Sequence, residues 1–202
     1  MSILKYKKIC AHKIPKNNRN FEYMEHYYKA KIESPRIVTR FLVPADAVHW
    51  CDFVRSKDAT EFFPEYYAPE NPLPAAEKFL SSQFTRYEEK TYGLKALIEK
   101  ETGNFIGLCG LLGKEVDGNY EIEIGYQLLP QYWGKGYAAE AARLFMDFAI
   151  EHQLIDSLIS IIDVGNVKSE RVAEKNGFKR DKKTLYQGLD VWVYRRELTS
   201  SK

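Results

Sequence analysis

Between residues 91 and 139 the chain changes rhythm, and this change restricts its fold more than any other feature. Three runs near 92–99, 104–112 and 120–129 have strand character, and the turns between them are Glu101-Thr102-Gly103-Asn104 and Asp117-Gly118-Asn119. Asp-Gly between apolar runs is a strong hairpin signal. After Leu129 and Pro130 two glycines stand close together, and the pattern becomes one of alternation. An Ala-rich helical stretch at 134–152 is followed by an apolar strand at 157–163 and a short helix at 167–176. Strands near 178–187 and 190–198, turning at Gly188, follow. An antiparallel meander feeding β-α-β-α-β predicts an α+β (mixed α/β) fold, a mixed and mostly antiparallel central sheet with helices on both faces. Upstream, Arg36 to Leu42 alternates as a first strand, Pro44-Ala45-Asp46 opens a helix to about Arg55, and residues 74–89 are helical. The loop between those helices is rich in aromatics and proline, from Phe62 to Pro69.

Composition narrows the class. The 202 residues are 45% hydrophobic and 29% charged, the usage of an ordinary soluble domain. A chain of this size buries roughly 70% of its unfolded surface. Its apolar runs are far too short to span a membrane, so no membrane partner is expected. A net charge of +2 excludes a strongly basic nucleic-acid binder, and no direct nucleic-acid binding by the domain is expected. The charge is uneven, however, with eight Lys/Arg against three Glu in residues 1–33. That segment reads as a basic N-terminal extension to a domain at 34–202. Phe21 to Ile32 has the pattern of a short amphipathic helix. Packing on the domain through its tyrosines competes there with attraction to an acidic partner or RNA. Cys10, Cys51 and Cys109 are odd in number and scattered, which fits reduced thiols in the cytoplasm, and no apolar secretory segment follows the basic start. His12, His26, His49 and His152 have no metal-ligand spacing, so no metal is expected.

The stretch with most chemical content is Gln131-Tyr132-Trp133-Gly134-Lys135-Gly136-Tyr137-Ala138-Ala139. It follows a strand and opens a helix. Glycines let the backbone turn sharply and approach a ligand closely. The free N–H groups of a first helical turn favour negative charge at the same spot, and Lys135 adds a cation. The chemistry suggested is pyrophosphate binding. Gly134-Lys135-Gly136-Tyr137-Ala138-Ala139 formally matches a dinucleotide fingerprint, with Asp163 at a later strand end as the ribose acid. Pro130 and three further residues nevertheless separate strand from glycines, where that fingerprint needs a tight turn, and too few strands follow. Without Gly-Lys-Ser/Thr it is no Walker A loop.

Gln131-x-x-Gly134-x-Gly136 resembles the Q/R-x-x-G-x-G/A signature of the GNAT superfamily of N-acetyltransferases. Thirty residues beyond Gly136, Asn166-Val167-Lys168-Ser169 with the closing Asn176-Gly177-Phe178 is similar to the second acetyl-CoA segment of that family. Pro35 to Arg40 and Ile124-Gly125-Tyr126-Gln127-Leu128 resemble the RimJ/RimL branch, which modifies ribosomal-protein N-termini and other amines. The likeness runs over about residues 34–198. It implies a GNAT-like fold, acetyl-CoA as co-substrate, and direct transfer of the acetyl group to a primary amine in a ternary complex. The acceptor is a peptide N-terminus or a small molecule, and a homodimer is left open. By the resemblance, the pantetheine arm lies along the strand ending at Leu128 and Leu129. The pyrophosphate then sits on the loop of Gln131, Trp133, Gly134, Lys135, Gly136, Tyr137 and Ala138, and Asn166 bonds the pantetheine from the other side. Lys168 and Arg171 are either phosphate contacts or solvated charges.

Attack on the thioester needs a neutral amine and a proton for the departing thiolate. Glu121 and Glu123 alternate with Ile122 and Ile124 and share one strand face. Glu123, nearer the acetyl end, is the preferred general base, acting through water. Many family members carry a tyrosine seven residues after the Asn; here that residue is Ala173. Ser169, similar to the serine given this role in the RimJ/RimL branch, is the expected acid, with Tyr186 as a distant substitute. Acceptor selection is expected from the 61–73 loop, with Glu65, Tyr66 and Tyr67, and from the hairpin at 184–192. Cys109 reads as core, not as a nucleophile. Ala173 keeps open a second class, a non-catalytic acyl-CoA-binding or partner-binding domain.

Overall fold

The computed structural model describes Tyr28 and residues 31–89 and 91–198. Its elements run β1 (Ile37–Arg40), α1 (Asp46–Arg55), α2 (Pro72–Glu88), β2 (Leu94–Glu99), β3 (Phe105–Val116), β4 (Asn119–Leu128), α3 (Tyr137–Glu151), β5 (Ser157–Asp163), α4 (Val167–Lys175), β6 (Lys179–Tyr186) and β7 (Leu189–Glu197). One seven-stranded sheet has the order β1-β2-β3-β4-β5-β7-β6. Every neighbouring pair is antiparallel except β4 and β5. This is the α+β GNAT-like architecture that the change of rhythm predicts.

The departures from the expected boundaries have local causes. The helix expected from residue 134 begins at Tyr137, because Gly134 and Gly136 hold φ of 72° and 85°, outside the helical region. The α2 helix starts two residues early, with Pro72 in its first turn, where no N–H is needed. The third strand runs on to Val116, since the hairpin arms pair as far as Val116↔Asn119, right up to the turn. There Asp117 and Gly118 take φ of 50° and 78°, the two positive angles of a type I′ turn.

Two apolar layers cover the sheet. On one face α1 and α2 pack Trp50, Phe53, Phe79 and Leu80 onto Leu94, Leu108 and Leu112. On the other, α3 packs Ala141, Phe145 and Met146 onto Leu97, Leu111 and Ile124. Alternation assigns the β4 side chains accordingly: Glu121, Glu123 and Gln127 share the α1/α2 face, and Ile122, Ile124 and Tyr126 share the α3 face. Tyr28 and Ile32, from the expected extension, are part of the α3-side core. The helix expected over Phe21–Ile32 lies mostly outside the described residues. Ile32 itself is paired as extended chain, its carbonyl accepting from Thr39 N–H at 2.9 Å.

Candidate active site

The site begins where the sheet comes apart. Between β3 and β4 ten register pairs run without a break from Val116↔Asn119 to Gly107↔Leu128. Between β4 and β5 there is one, Glu123↔Ile159, after which the strands diverge. Leu129 N–H donates to Ile106 O at 3.0 Å, so the odd-numbered residues of β4 turn their backbone groups toward β3. Tyr126 and Leu128 therefore turn theirs into the split. Leu128 O is taken by the Trp133 indole N–H at 2.8 Å. The amides of Tyr126 and Leu128 have no strand to receive them.

The glycine loop caps the upper end of this split. Leu129 leads into a short turn at Pro130–Tyr132, and Gly136 is the N-cap of α3 with no side-chain cap. The first intrahelical bond is Glu140 N–H to Gly136 O, at 3.1 Å, which leaves the amides of Tyr137, Ala138 and Ala139 as the orphan donors of the helix start. Gly134 and Lys135 are exposed, and a Cβ added at Gly134 would meet nothing within 4 Å. The open space belongs to whatever docks there. An acid in the first turn, Glu140, would weaken such a site were it free. It is held by Ser34 Oγ at 2.7 Å and by Arg36 Nε and Nη2 at 2.7 and 2.6 Å. Burial alone would raise this carboxyl, but the bonds from Ser34 and Arg36 outweigh it and hold the group below the usual carboxylate range. Arg36 also donates to Lys135 O at 3.0 Å and stacks 4.3 Å over the Tyr137 ring, tying the loop to the start of β1. On the far side Asn176 donates to Ala139 O at 3.2 Å and fastens α4 to the first turn of α3.

The opposite lip of the split is the start of α4. Asn166 is its N-cap, with Oδ1 accepting from Ser169 N–H at 3.1 Å, so its NH2 group is what remains to meet a ligand. Ser169 does not cap the helix. Its hydroxyl donates to the Tyr126 phenol oxygen at 3.1 Å, and the Tyr126 O–H donates to Ser169 O at 3.0 Å. Lys168 Nζ lies 4.5 Å over the Trp133 ring, so a second contact crosses between the two lips. Its charge is thus on the site side of the helix and not simply in solvent.

Glu123 sits at the fork. Its Oε1 accepts from Ile161 N–H at 3.4 Å, taking the amide that β4 would have received had the ladder continued. Oε2 is 3.5 Å from Lys114 Nζ, with the Glu123 side chain only 12% exposed. Glu121 is committed elsewhere, to Arg195 at 2.7 and 3.1 Å. Of the acceptor-loop residues, Tyr66 packs edge-on against Phe79 at 5.1 Å as part of the core, whereas Glu65 and Tyr67 stay exposed. The same loop reaches the β5–α4 turn, since a Cβ on Gly165 would lie 3.4 Å from the Phe62 ring. It therefore stands over the Glu123 face.

A family model described as the acetyltransferase (GNAT) domain matches residues 36–179. The chain belongs to the GNAT family. The Bacillus subtilis protein YkkB, uncharacterized, is 37% identical over 111 residues, which are 54% of this chain and 64% of YkkB; the match thus spans under two thirds of that relative. An acetyltransferase from Agrobacterium tumefaciens superposes with a TM-score of 0.68 at 29% identity, covering 83% of this chain and 94% of that one. RimL, a ribosomal-protein acetyltransferase in complex with coenzyme A, gives a TM-score of 0.67 over 83% of this chain and 98% of its own. At 17% identity that likeness is one of fold. GNAT acetyltransferases use acetyl-CoA, and no group of His, Cys, Asp or Glu among the described residues could hold a metal ion. Nor is any described helix long and apolar enough to cross a membrane.

Set against the GNAT layout, the structure gathers Leu128, Trp133, Gly134, Lys135, Gly136, Tyr137, Ala138, Asn166 and Ser169 around one split. Gln131 is exposed at its upper edge. Leu129 does not belong to this set. Its N–H is spent on Ile106, its carbonyl accepts from Tyr132 N–H at 2.9 Å, and its side chain is in the α1/α2-side core. Strand pairing ends one residue earlier, so Leu129 anchors the loop. Tyr137 offers an amide but not its hydroxyl, which donates to Glu99. Tyr126 is the residue that sequence reasoning passed over. It stood within the Ile124-Gly125-Tyr126-Gln127-Leu128 phrase, where it carried a resemblance and no role of its own.

Proposed function

We propose that this chain is an acetyl-CoA-dependent N-acetyltransferase that passes the acetyl group directly to a primary amine in a ternary complex, as a member of the RimJ/RimL branch. One observation carries the reading. β4 is fully paired to β3, parts from β5 after a single position, and runs into a glycine loop whose helix-start amides face outward. An extended thioester arm laid in that split would meet the amides of Tyr126 and Leu128 and the NH2 of Asn166, with its pyrophosphate on the amides of residues 134–138 and on Lys135. An amide of the split directed at the thioester oxygen stabilises the oxyanion formed on attack.

The amine enters from the α1/α2 face, where Glu123 and the aromatic loop lie. An α-amine, with a pKa of about 8, is far more often neutral at pH 7 than a lysine near 10.4. Glu123 takes the proton through water, and Ser169, on the α3 face, stands on the side toward which the thiolate departs. A peptide N-terminus or a small amine fits this opening, and the exposed Tyr67 and Glu65 suit a cationic acceptor. The odd number and scatter of the cysteines support a cytoplasmic enzyme with reduced thiols.

Calorimetric titration with acetyl-CoA, with NAD as the control ligand, tests the donor. Saturable acetyl-CoA binding without an NAD signal is expected, followed by CoA release in a screen of peptide and small-molecule amines. Binding of NAD in preference would move the glycine loop to dinucleotide chemistry. CoA binding without turnover on any amine would leave a binding domain.

A further inference from the structure

The split holds a pair of groups to which the GNAT layout assigns no joint role. Ala173, where many relatives place a tyrosine, is 2% exposed in the α3-side core and brings no hydroxyl to the site. A phenol reaches the same lip from another element. Tyr126 extends from β4 across the split to the first turn of α4. There its oxygen accepts from Ser169 Oγ–H at 3.1 Å while its own proton goes to Ser169 O at 3.0 Å. Ser160, on the facing strand β5, is a third hydroxyl in contact with that phenol.

We propose that Tyr126 is the positioning residue for proton delivery to the departing CoA thiolate, and that Ser169 is the group which hands the proton over. This rests on the acetyl-transfer reading above. Ser169 alone is an alkyl alcohol, a poor acid whose rotor is free to turn away. Bonded to Tyr126 it is held at the split. When the carbon–sulfur bond breaks, the Ser169 hydroxyl turns from the Tyr126 oxygen to the sulfur, its Oγ–H bond breaks and an S–H bond forms. Ser169 Oγ recovers a proton from the Tyr126 phenol, which gives up its bond to Ser169 O and is reprotonated from water. The proton lost by the attacking amine leaves through Glu123 and water, so the transfer is proton-neutral overall. Burial pushes the Tyr126 phenol up to about 12, with the serine hydroxyls easing it back. It thus stays protonated through neutral pH, as a donor must.

The test uses the full-length chain as wild type, Tyr126→Phe, Ser169→Ala and the double variant. In the CoA complex, the thiol is titrated by its ultraviolet thiolate absorbance, a readout independent of the acceptor. A donor aimed at sulfur stabilises thiolate, so the bound thiol should titrate at lower pH in wild type than in either single variant. Turnover should fall by about 10²–10⁴-fold in each single variant, with the KM for acetyl-CoA within about threefold of wild type. Because the two residues act as one unit, the double variant should be no slower than the worse single one. A thiol titrating identically in all four proteins overturns the proposal even if acetyl transfer stands, as does a Tyr126→Phe enzyme whose only defects are a raised KM and a lowered melting point. A lowered thiol pKa in a protein that acetylates no amine keeps the proton donor and overturns the acetyl-transfer reading instead. If CoA does not bind at all, both fall together.

Discussion

The sheet comes apart in two places, and the protein treats them in opposite ways. At the start of β2, the end away from the glycine loop, its ladder with β3 stops at Leu94↔Gly110. There Tyr28 inserts its hydroxyl, donating to Gly93 O and accepting from Leu111 N–H at 3.1 Å. One oxygen replaces the missing rung and satisfies both strands. The fit is close, since a Cβ on Gly110 would lie 2.7 Å from that oxygen. At β4 and β5 a tyrosine also fills the gap, but Tyr126 bonds to α4 and not to the facing backbone. The first opening becomes a seam. The second stays a slot, because the amides beside Tyr126 keep nothing to donate to until a ligand arrives. A buried amide without a partner costs about 1–3 kcal/mol. A site lined with such groups needs a ligand or water to meet them.

The largest effect that separates slot from seam should come from Gly134→Asp. Its φ of 72° lies in the left-handed region, which Asp tolerates better than most residues, and the added Cβ meets no protein atom. The fold should survive, with a stability loss of about 1 kcal/mol. A carboxylate placed against the pyrophosphate should lower acetyl-CoA affinity at least 100-fold in calorimetry. Gly134→Asn sharpens the result, since it carries the same backbone strain without the charge. If Asn and Asp weaken binding equally, the loop contributes clearance and not charge.

The seam should behave in the reverse way. Tyr28→Phe keeps the ring packed against Tyr92, Phe145 and Phe148 but strands a buried carbonyl and a buried amide. The expected cost is about 2–4 kcal/mol, or a melting point lower by about 5–12 °C for a chain of this size. Acetyl-CoA affinity measured at 15 °C should not change. A weakened acetyl-CoA affinity with normal stability would mean that the two openings are one coupled unit.

The two places also differ in how far the sequence revealed them. The slot was legible because its parts are glycines, a helix start and an Asn-capped helix, each with a local backbone signature. The hairpin turn at Asp117-Gly118 and the strand at 157–163 were legible for the same reason. The seam was not, because Tyr28 lies 65 residues from Gly93 and 83 from Leu111, and no short-range pattern records such a pairing. Tyr126 escaped for a subtler reason. Alternation says which face a residue takes, and its face is the α3 core, but only the divergence of β5 turns that core position into a lip of the site. Glu123 came out of alternation correctly as to face. Its bond to Ile161 N–H depends on the same divergence and had no sequence signal.

The smallest expected effect concerns the charge that the seam encloses. Lys95 is 1% exposed, donates to Tyr28 O at 3.1 Å and lies 5.1 Å from the Phe41 ring centre. Burial pushes its ammonium down to about 8, against about 10.4 in an unfolded chain. Between those two values this side chain holds more protons in the unfolded chain than in the folded one, so its own contribution to stability rises with pH from about 8 toward 10. Below pH 8 the penalty is complete, and the bond to Tyr28 offsets only part of it. Lys95→Met should therefore be more stable than wild type at pH 7, by about 1–2 kcal/mol, in denaturant titrations. The gap should close by about pH 9.5. Beyond that the buried phenols take over with the opposite sign. Burial raises Tyr28 and Tyr92 above their usual value, so the folded state then holds the extra protons and stability falls as pH climbs. The buried thiols of Cys51 and Cys109, raised by burial, act with the phenols' sign from about pH 8.5, so the lysine is read from the difference between Lys95→Met and wild type across pH 7 to 9.5. A stability difference between Lys95→Met and wild type that stays constant from pH 7 to 9.5 would place the charge in water and the seam open. Tyr28 and Tyr126 would then mark two slots instead of one.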